Sequence, residues 1–378
     1  MAWLLGLMSG TSLDGVDAVL AQADASDHLR ARAHIHMAFP QALREELLSL
    51  NRSGADELHR SALATHALMT VYAASVTALL GQVGVVASAV KAIGAHGQTV
   101  RHRPAEFEGR GYTLQLMNGA LLAELTGIDV VCDFRGRDLA AGGQGAPLVP
   151  AFHAACFTRP GRATAVLNIG GIANVTLLGA DGGVLGFDTG PGNMLMDAWC
   201  QRHFGAAYDA GGDHAARGSV DTTLLCTMLS EPFFGRSPPK STGRDLFDMA
   251  WLDAHLQGGC RRAEDVLATL AELTARSAVD AVRLYAPMTD ELLVCGGGAF
   301  NAHLVMRLAS LMGALVPSAA AAVASVGSTA AYGVPPDQVE ALAFAWLAVR
   351  HLARKPGNLP AATGARGPRV LGALYPAG

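Results

Sequence analysis

Trp3-Leu4-Leu5-Gly6-Leu7-Met8-Ser9-Gly10-Thr11-Ser12-Leu13-Asp14-Gly15-Val16-Asp17 stands at the head of the chain. An apolar run, Trp3 to Leu7, meets a polar glycine turn. A second apolar run, Val16 to Ala21, follows and alternates in part. The pattern predicts strand, turn, strand. Arg32 to Phe39 reads as a third strand. Pro40 then precedes helical stretches over 42–50 and 57–80, with short strands at 91–95 and 128–132.

The same order begins again at Ala163 to Ile169. Gly170-Gly171 makes the turn, Ile172 to Leu178 returns, and Gly183 to Phe187 is the third strand. Helices are expected from Asn193 to Phe204, Glu264 to Tyr285, Phe300 to Leu311 and Pro336 to Ala353, with a strand at Glu291 to Cys295. A hairpin-first α/β module used twice, with a break near Asp133 to Pro150, is a better guide than any one strand. It predicts a two-lobed actin-like or sugar-kinase (ribonuclease H-like) ATPase fold, with nucleotide in the inter-lobe cleft. The expected lobes are residues 1–132 with the tail 365–378, and residues 133–364.

Length and composition agree with two packed lobes: 378 residues, 51% of them apolar and 16% charged. The net charge of −4, with both signs mixed along the chain, predicts no nucleic-acid surface and no polybasic membrane patch. The N-terminus lacks a basic leader and turns polar at Ser9, and no run approaches the ~18 continuous apolar residues of a membrane span. Ala319 to Ala331 reads as small-residue filler. Cys132, Cys156, Cys200, Cys226, Cys260 and Cys295 form no C-x-x-C pair, which predicts buried thiols, no structural zinc and a cytoplasmic setting.

Three glycine turns carry the candidate chemistry. Gly10 to Asp17 offers unobstructed backbone N–H groups and hydroxyls to phosphate, with Asp14 and Asp17 as links to a magnesium ion through water. It has no G-K-[ST] and no following helix, so it is not a Walker A loop, and a plain hairpin turn would use the same residues. Asn168-Ile169-Gly170-Gly171 is its counterpart in the second module. Gly296-Gly297-Gly298, ending at Asn301, reads either as a tight strand-to-helix turn or as an adenosine platform.

Asp188 lies just past a strand end, in a Gly-Pro-Gly loop; it is either a fixed catalytic base or a turn cap. His96 and Gln98 offer the neutral hydrogen-bonding groups that sugars need, although a histidine there also serves structure. Arg137 pairs either with a ligand carboxylate or with Asp133 or Asp138 at the lobe junction. Lys240-Ser241-Thr242-Gly243-Arg244 holds one of only three lysines; the bland reading is a solvated loop. Glu340, beside an apolar helix face, points either to solvent or to the cleft.

Together these segments resemble the anhydro-N-acetylmuramic acid kinase family, in order and over most of the chain. The stretches Ala141 to Pro150 and Gly186 to Asn193 carry more of the likeness than any glycine turn. The resemblance implies that water opens the 1,6-anhydro ring while ATP phosphorylates O6, giving N-acetylmuramic acid 6-phosphate in cell-wall recycling. It implies Gly10 to Asp17 as the ATP phosphate site, Asp188 as the base, Arg137 and Glu340 as cleft residues near the sugar, and a homodimer. One departure stands out: Tyr332-Gly333 follows Thr329-Ala330-Ala331 where the family carries an acid, after an Ala-rich insertion near Ser318 to Ser328. The rival readings are an ordinary hexose or amino-sugar kinase, and a filament-forming or chaperone-like ATPase.

Overall fold

The computed structural model describes residues 2–24, 28–104, 106–109, 111–244, 246–257, 261–313 and 324–378. Cys260 and the first part of the Ala-rich insertion, 318–323, lie outside the described residues.

The chain opens with β1 (Ala2–Met8), β2 (Gly15–Ala23) and β3 (Leu29–Ala38), then helices α1 (Gln41–Ser49) and α2 (Glu57–Val83). It continues through β4 (Val90–Ala95), β5 (Gln98–Arg103), β6 (Tyr112–Leu116), α3 (Gly119–Thr126), β7 (Val130–Cys132), α4 (Gly136–Ala140) and α5 (Val149–Phe157). A second unit takes β8 (Thr164–Ile169), β9 (Ile172–Leu178), β10 (Val184–Pro191), α6 (Met194–Phe204), α7 (Thr222–Leu229) and α8 (Met249–Leu256). To these it adds α9 (Ala263–Tyr285), β11 (Glu291–Cys295), α10 (Ala302–Gly313) and β12 (Ser325–Ser328). The chain then returns with α11 (Val339–Leu352), α12 (Pro360–Thr363) and β13 (Ala373–Tyr375).

The strand order is β13-β7-β4-β1-β2-β3 in one sheet and β10-β9-β8-β11-β12 in the other. In the first, β1, β2 and β3 pair antiparallel, while β1, β4 and β7 run parallel. In the second, β8, β9 and β10 pair antiparallel, while β8, β11 and β12 run parallel. The series β3-β2-β1-β4-β7 and β10-β9-β8-β11-β12 are thus one topology built twice. A duplicated ribonuclease H-like module is the actin-like, sugar-kinase fold.

The two units are Met1–Ala155 with Gln338–Gly378, and Cys156–Asp337. Beside the expected lobes, residues 133–155 and 338–364 group by contact with the first unit. The reason lies in two glycines. Gly6 on β1 and Gly94 on β4 are register partners in the parallel pair. A Cβ on Gly6 would stand 1.8 Å from the Ala341 carbonyl oxygen, and one on Gly94 would stand 2.0 Å from that of Phe344. Helix α11, with its buried Ala341, Ala345 and Ala348, lies directly on this bare strip and so joins the first sheet. It also starts later than expected, at Val339; the Pro336 carbonyl instead accepts from the Gly296 N–H at 2.9 Å.

Helix α2 is apolar and long enough to cross a bilayer, but half of its apolar window (50%) is buried. Leu68, Met69, Tyr72 and Leu79 are fully buried in the first unit's core. Burial of such side chains is the main stabilising term of each unit. The second core gathers Phe187, Trp199, Phe233 and Phe247 around α9. The hairpin of β5 and β6, the short strands β12 and β13, and helix α3 were not expected. Each is too short to show a period in the sequence.

Candidate active site

In the second unit, register places three polar side chains in a row. Asn168 on β8 pairs with Asn174 on β9, and Asn174 pairs with Asp188 on β10. On the other side, Asn168 pairs with Cys295 of β11, whose thiol reaches Asn168 Oδ1 at 3.8 Å. Cross-strand partners share a face of the sheet, so Asn168, Asn174 and Asp188 line one face. Asn174 Oδ1 is buried and has no hydrogen-bond partner among the described residues.

β10 bulges just after Asp188, since Asp188 pairs with Asn174 while Gly190 already pairs with Ala173. A bulge bends its strand and re-aims the side chains beside it. Gly190 sits at φ 145°, which a side chain would strain. The loop that follows returns onto the second turn: the Asn193 N–H donates to the Gly170 carbonyl at 2.8 Å, and the Gly192 N–H to that of Gly171 at 2.9 Å. The glycine turn and the Gly-Pro-Gly loop are therefore one assembly.

Asp188 is held from the far side by residues 240–242. Its N–H donates to the Lys240 carbonyl at 3.1 Å, and its Oδ2 accepts from the Thr242 N–H at 2.9 Å. The Lys240–Arg244 segment thus packs against Asp188, and a plain solvated loop does not describe it. Lys240 itself is buried, and its ammonium donates to the carbonyls of Phe233 and Phe234. Asn301 accepts the Leu304 N–H at 2.9 Å, capping α10.

In the first unit, the Gly10–Gly15 turn is closed by the Leu13 N–H on the Gly10 carbonyl at 3.3 Å. Leu13 holds a left-handed φ of 58°, a strained position of the kind that collects at functional sites. Gly10 has no positive φ, and a Cβ there would meet nothing nearer than Ser12 Oγ, at 3.6 Å. Gln98 donates to the Gly10 carbonyl at 3.1 Å, which ties β5 to the turn.

Asp17 is bonded within the first sheet. Its Oδ1 lies 3.1 Å from His34 Nε2 and 3.1 Å from His36 Nδ1, both on β3. Burial pushes its pKa up, but the two imidazoles outweigh burial and leave it below the usual carboxylate value. His36 moves up for the reciprocal reason, its bond to Asp17. Asp14, the other candidate magnesium link, is exposed and accepts from Ser12 Oγ and the Gly15 N–H.

His96 is buried, and its Nε2 accepts from both Nε and Nη2 of Arg135, at 3.0 and 2.9 Å. Arg135 also reaches the Gly145 carbonyl at 2.7 Å. Burial first, then the guanidinium, drives the His96 pKa well below its usual value, so the ring is neutral. With Nε2 accepting, the hydrogen sits on Nδ1, where the backbones of Ser9 and Gly97 offset part of the lowering. Gln98 Oε1 is buried with no hydrogen-bond partner among the described residues. A buried, unsatisfied amide oxygen beside the neutral His96 ring marks a place where a polar ligand fits.

Asp138 is fully buried and spent on structure. It accepts from Asn358 Nδ2, Thr363 Oγ1 and the Gly145 N–H, at 2.7, 2.8 and 2.8 Å. The side chain of Arg137, next to it, makes no hydrogen bond or ion pair among the described residues. Of the two arginines it is Arg135 that braces; nothing in the sequence separates them. Glu340 is half-buried in the first turn of α11, four residues before Phe344, whose ring packs on His96.

The sequence matches the profile described as anhydro-N-acetylmuramic acid kinase over residues 2–377. It is 55% identical to the protein of that name from Variovorax paradoxus, covering 99% of this chain and 98% of that one. It is 57% identical to the one from Bordetella petrii, covering 99% and 96%. The chain belongs to the anhydro-N-acetylmuramic acid kinase family.

Among solved structures, the chain is similar to a ROK family glucokinase from Streptomyces griseus in complex with glucose and AMPPNP. There the identity is 12%, the TM-score 0.40, and the coverage 91% of this chain and 98% of that one. For a kinase of this family the metal question is specific. Among the described residues no three carboxylates, histidines or cysteines gather as a metal cage.

Proposed function

We propose that this kinase opens the 1,6-anhydro ring of 1,6-anhydro-N-acetylmuramic acid with water and transfers the ATP γ-phosphoryl group to O6. The products are N-acetylmuramic acid 6-phosphate and ADP. The observation that carries the reading is Asp188: a carboxylate at a bulged strand end, fixed through both its backbone and its Oδ2. A general base needs that fixity.

In this reading Asp188 takes a proton from water as the water oxygen bonds to C1. The C1–O6 bond breaks, and O6 bonds to the γ-phosphorus as ADP leaves. A glycosidase needs a second carboxyl group to protonate its leaving oxygen. Here phosphorus captures that oxygen, so one carboxylate suffices. The phosphates are taken by backbone N–H groups of Gly10 to Asp17 and of Asn168, Gly170 and Gly171, with Gly296 to Gly298 and Asn301 toward adenosine. Magnesium would neutralise charge on the transferred group, linked through water to Asp14. Asp17, committed to His34 and His36, is the weaker link.

The sugar falls to His96, Gln98, Arg137 and Glu340. The unpartnered Arg137 fork suits the lactyl carboxylate that distinguishes muramic from glucosamine sugars. We read the protein as a cytoplasmic homodimer, which sedimentation of the purified protein checks. The reaction is tested by incubating the protein with ATP and the anhydro sugar. Loss of ATP with no new sugar phosphate would refute the assignment.

A further inference from the structure

Lys240 is one of three lysines in the chain, and it is buried to 8% exposure. Its ammonium donates to the carbonyls of Phe233 and Phe234 at 3.3 and 3.2 Å. It stands 4.7 Å above the Phe233 ring and 5.8 Å from that of Phe187, the residue before Asp188. Among the described residues no ion pair is recorded for it. A desolvated cation is costly unless something compensates for it. Carbonyl dipoles and a ring face do so in part. The attraction it feels comes from Asp188, set against burial and against Arg236.

The same residue's backbone is one half of the clamp on Asp188. The Lys240 carbonyl accepts the Asp188 N–H, and two residues on the Thr242 N–H holds Oδ2. The side chain therefore moors the loop at its start, and the loop's backbone fixes both ends of the catalytic residue. A neutral apolar side chain would fill the space more cheaply, so burial alone does not account for a lysine here.

We propose that Lys240 is a positioning residue for the reaction: its moored cation holds the 240–242 backbone, and with it the Asp188 carboxylate, in the geometry that removes the proton from water. The proposal rests on Asp188 being the base, and it extends that reading to a residue that touches neither substrate.

Lys240→Met removes the charge and both donors while keeping the length of the chain. Lys240→Gln keeps a donor without the charge. Steady-state kinetics with ATP and the anhydro sugar, melting temperatures, and Asp188→Asn in parallel make the test. The expected result for Lys240→Met is a kcat at least tenfold down, both KM values within threefold of wild type, and a melting temperature within a few degrees. Lys240→Gln should fall between the two. Wild-type kcat in folded Lys240→Met, or KM values that rise as far as kcat falls, would overturn the proposal. If Lys240→Met does not fold, Lys240→Gln decides by the same split. An active Asp188→Asn would instead overturn the base itself, whatever Lys240 does.

Discussion

The backbone N–H of Thr242 holds Oδ2 of Asp188 at 2.9 Å, across a sequence separation of 54 residues. This bond joins two motifs that look independent in the sequence, and it sets the carboxylate beside Asn174. Asp188→Asn keeps the shape and an acceptor for Thr242. It should fold, bind ATP normally and lose turnover by ~10²–10⁴-fold. Nucleotide titration alongside kcat checks this; near-normal kcat would remove Asp188 from the chemistry.

Gly10→Val separates fold from ligand. A Cβ there has room, with its nearest neighbour 3.6 Å away, and Gly10 has no positive φ. The variant should melt close to wild type yet bind ATP more weakly, because the added side chain stands where phosphate approaches backbone N–H groups. Unchanged nucleotide affinity would move the phosphate site elsewhere.

Arg137→Ala should raise the sugar KM at least tenfold, leave ATP affinity and melting temperature nearly unchanged, and narrow discrimination against the anhydro-glucosamine analogue. The stability part follows from the absence of any ion pair at Arg137 among the described residues. Charge-assisted hydrogen bonds to a carboxylate contribute about 1.5–3 kcal/mol each, enough for that effect. A fall in melting temperature that weakens both ligands alike would make Arg137 a brace after all.

Asp138→Ala should behave in the opposite way. Three buried donors, from Asn358, Thr363 and Gly145, would lose their acceptor. An unsatisfied buried polar group costs about 1–3 kcal/mol, so the melting temperature should drop by several degrees. Hydrogen exchange should rise in residues 138–145 and 358–366. Protection unchanged in those segments would contradict the network.

Stability should fall as the solution is acidified from pH 7 toward pH 5. Burial lowers the pKa of His102 to about 4 and of His153 to about 3, and His96 lies well below its usual value. Their unfolded forms take up protons near pH 6.5 while the folded forms do not. Each such group therefore contributes stability that is present above its unfolded pKa and lost as pH falls toward the folded one. His36, raised by Asp17, works in the opposite direction and offsets part of the loss. A melting temperature that is flat across this range would show that these histidines are protonated, or exposed, in the folded protein.

Much of this was legible in the sequence, because the two modules repeat a hairpin whose glycine turn is local. The hairpin strands, α2, α6, α9 and α11 fall near their expected places for that reason. What depended on register or distance was not legible. The row of Asn168, Asn174 and Asp188 exists only once β8, β9 and β10 are paired. Nothing in the order of residues says that Arg135 grips His96 while Arg137 is left over. Nor does the order of residues show that Gly6 and Gly94, register partners on β1 and β4, together make the bed of α11.

The central claim is that one carboxylate, Asp188, drives water onto C1 while O6 takes the phosphoryl group. Incubating the protein with ATP and 1,6-anhydro-N-acetylmuramic acid in ¹⁸O-labelled water, followed by mass spectrometry of the sugar product, tests it directly. The account predicts a muramic acid 6-phosphate carrying one solvent oxygen, at C1, formed with one ADP per sugar. A phosphorylated product that retains the anhydro ring, or one with no label at C1, would contradict it.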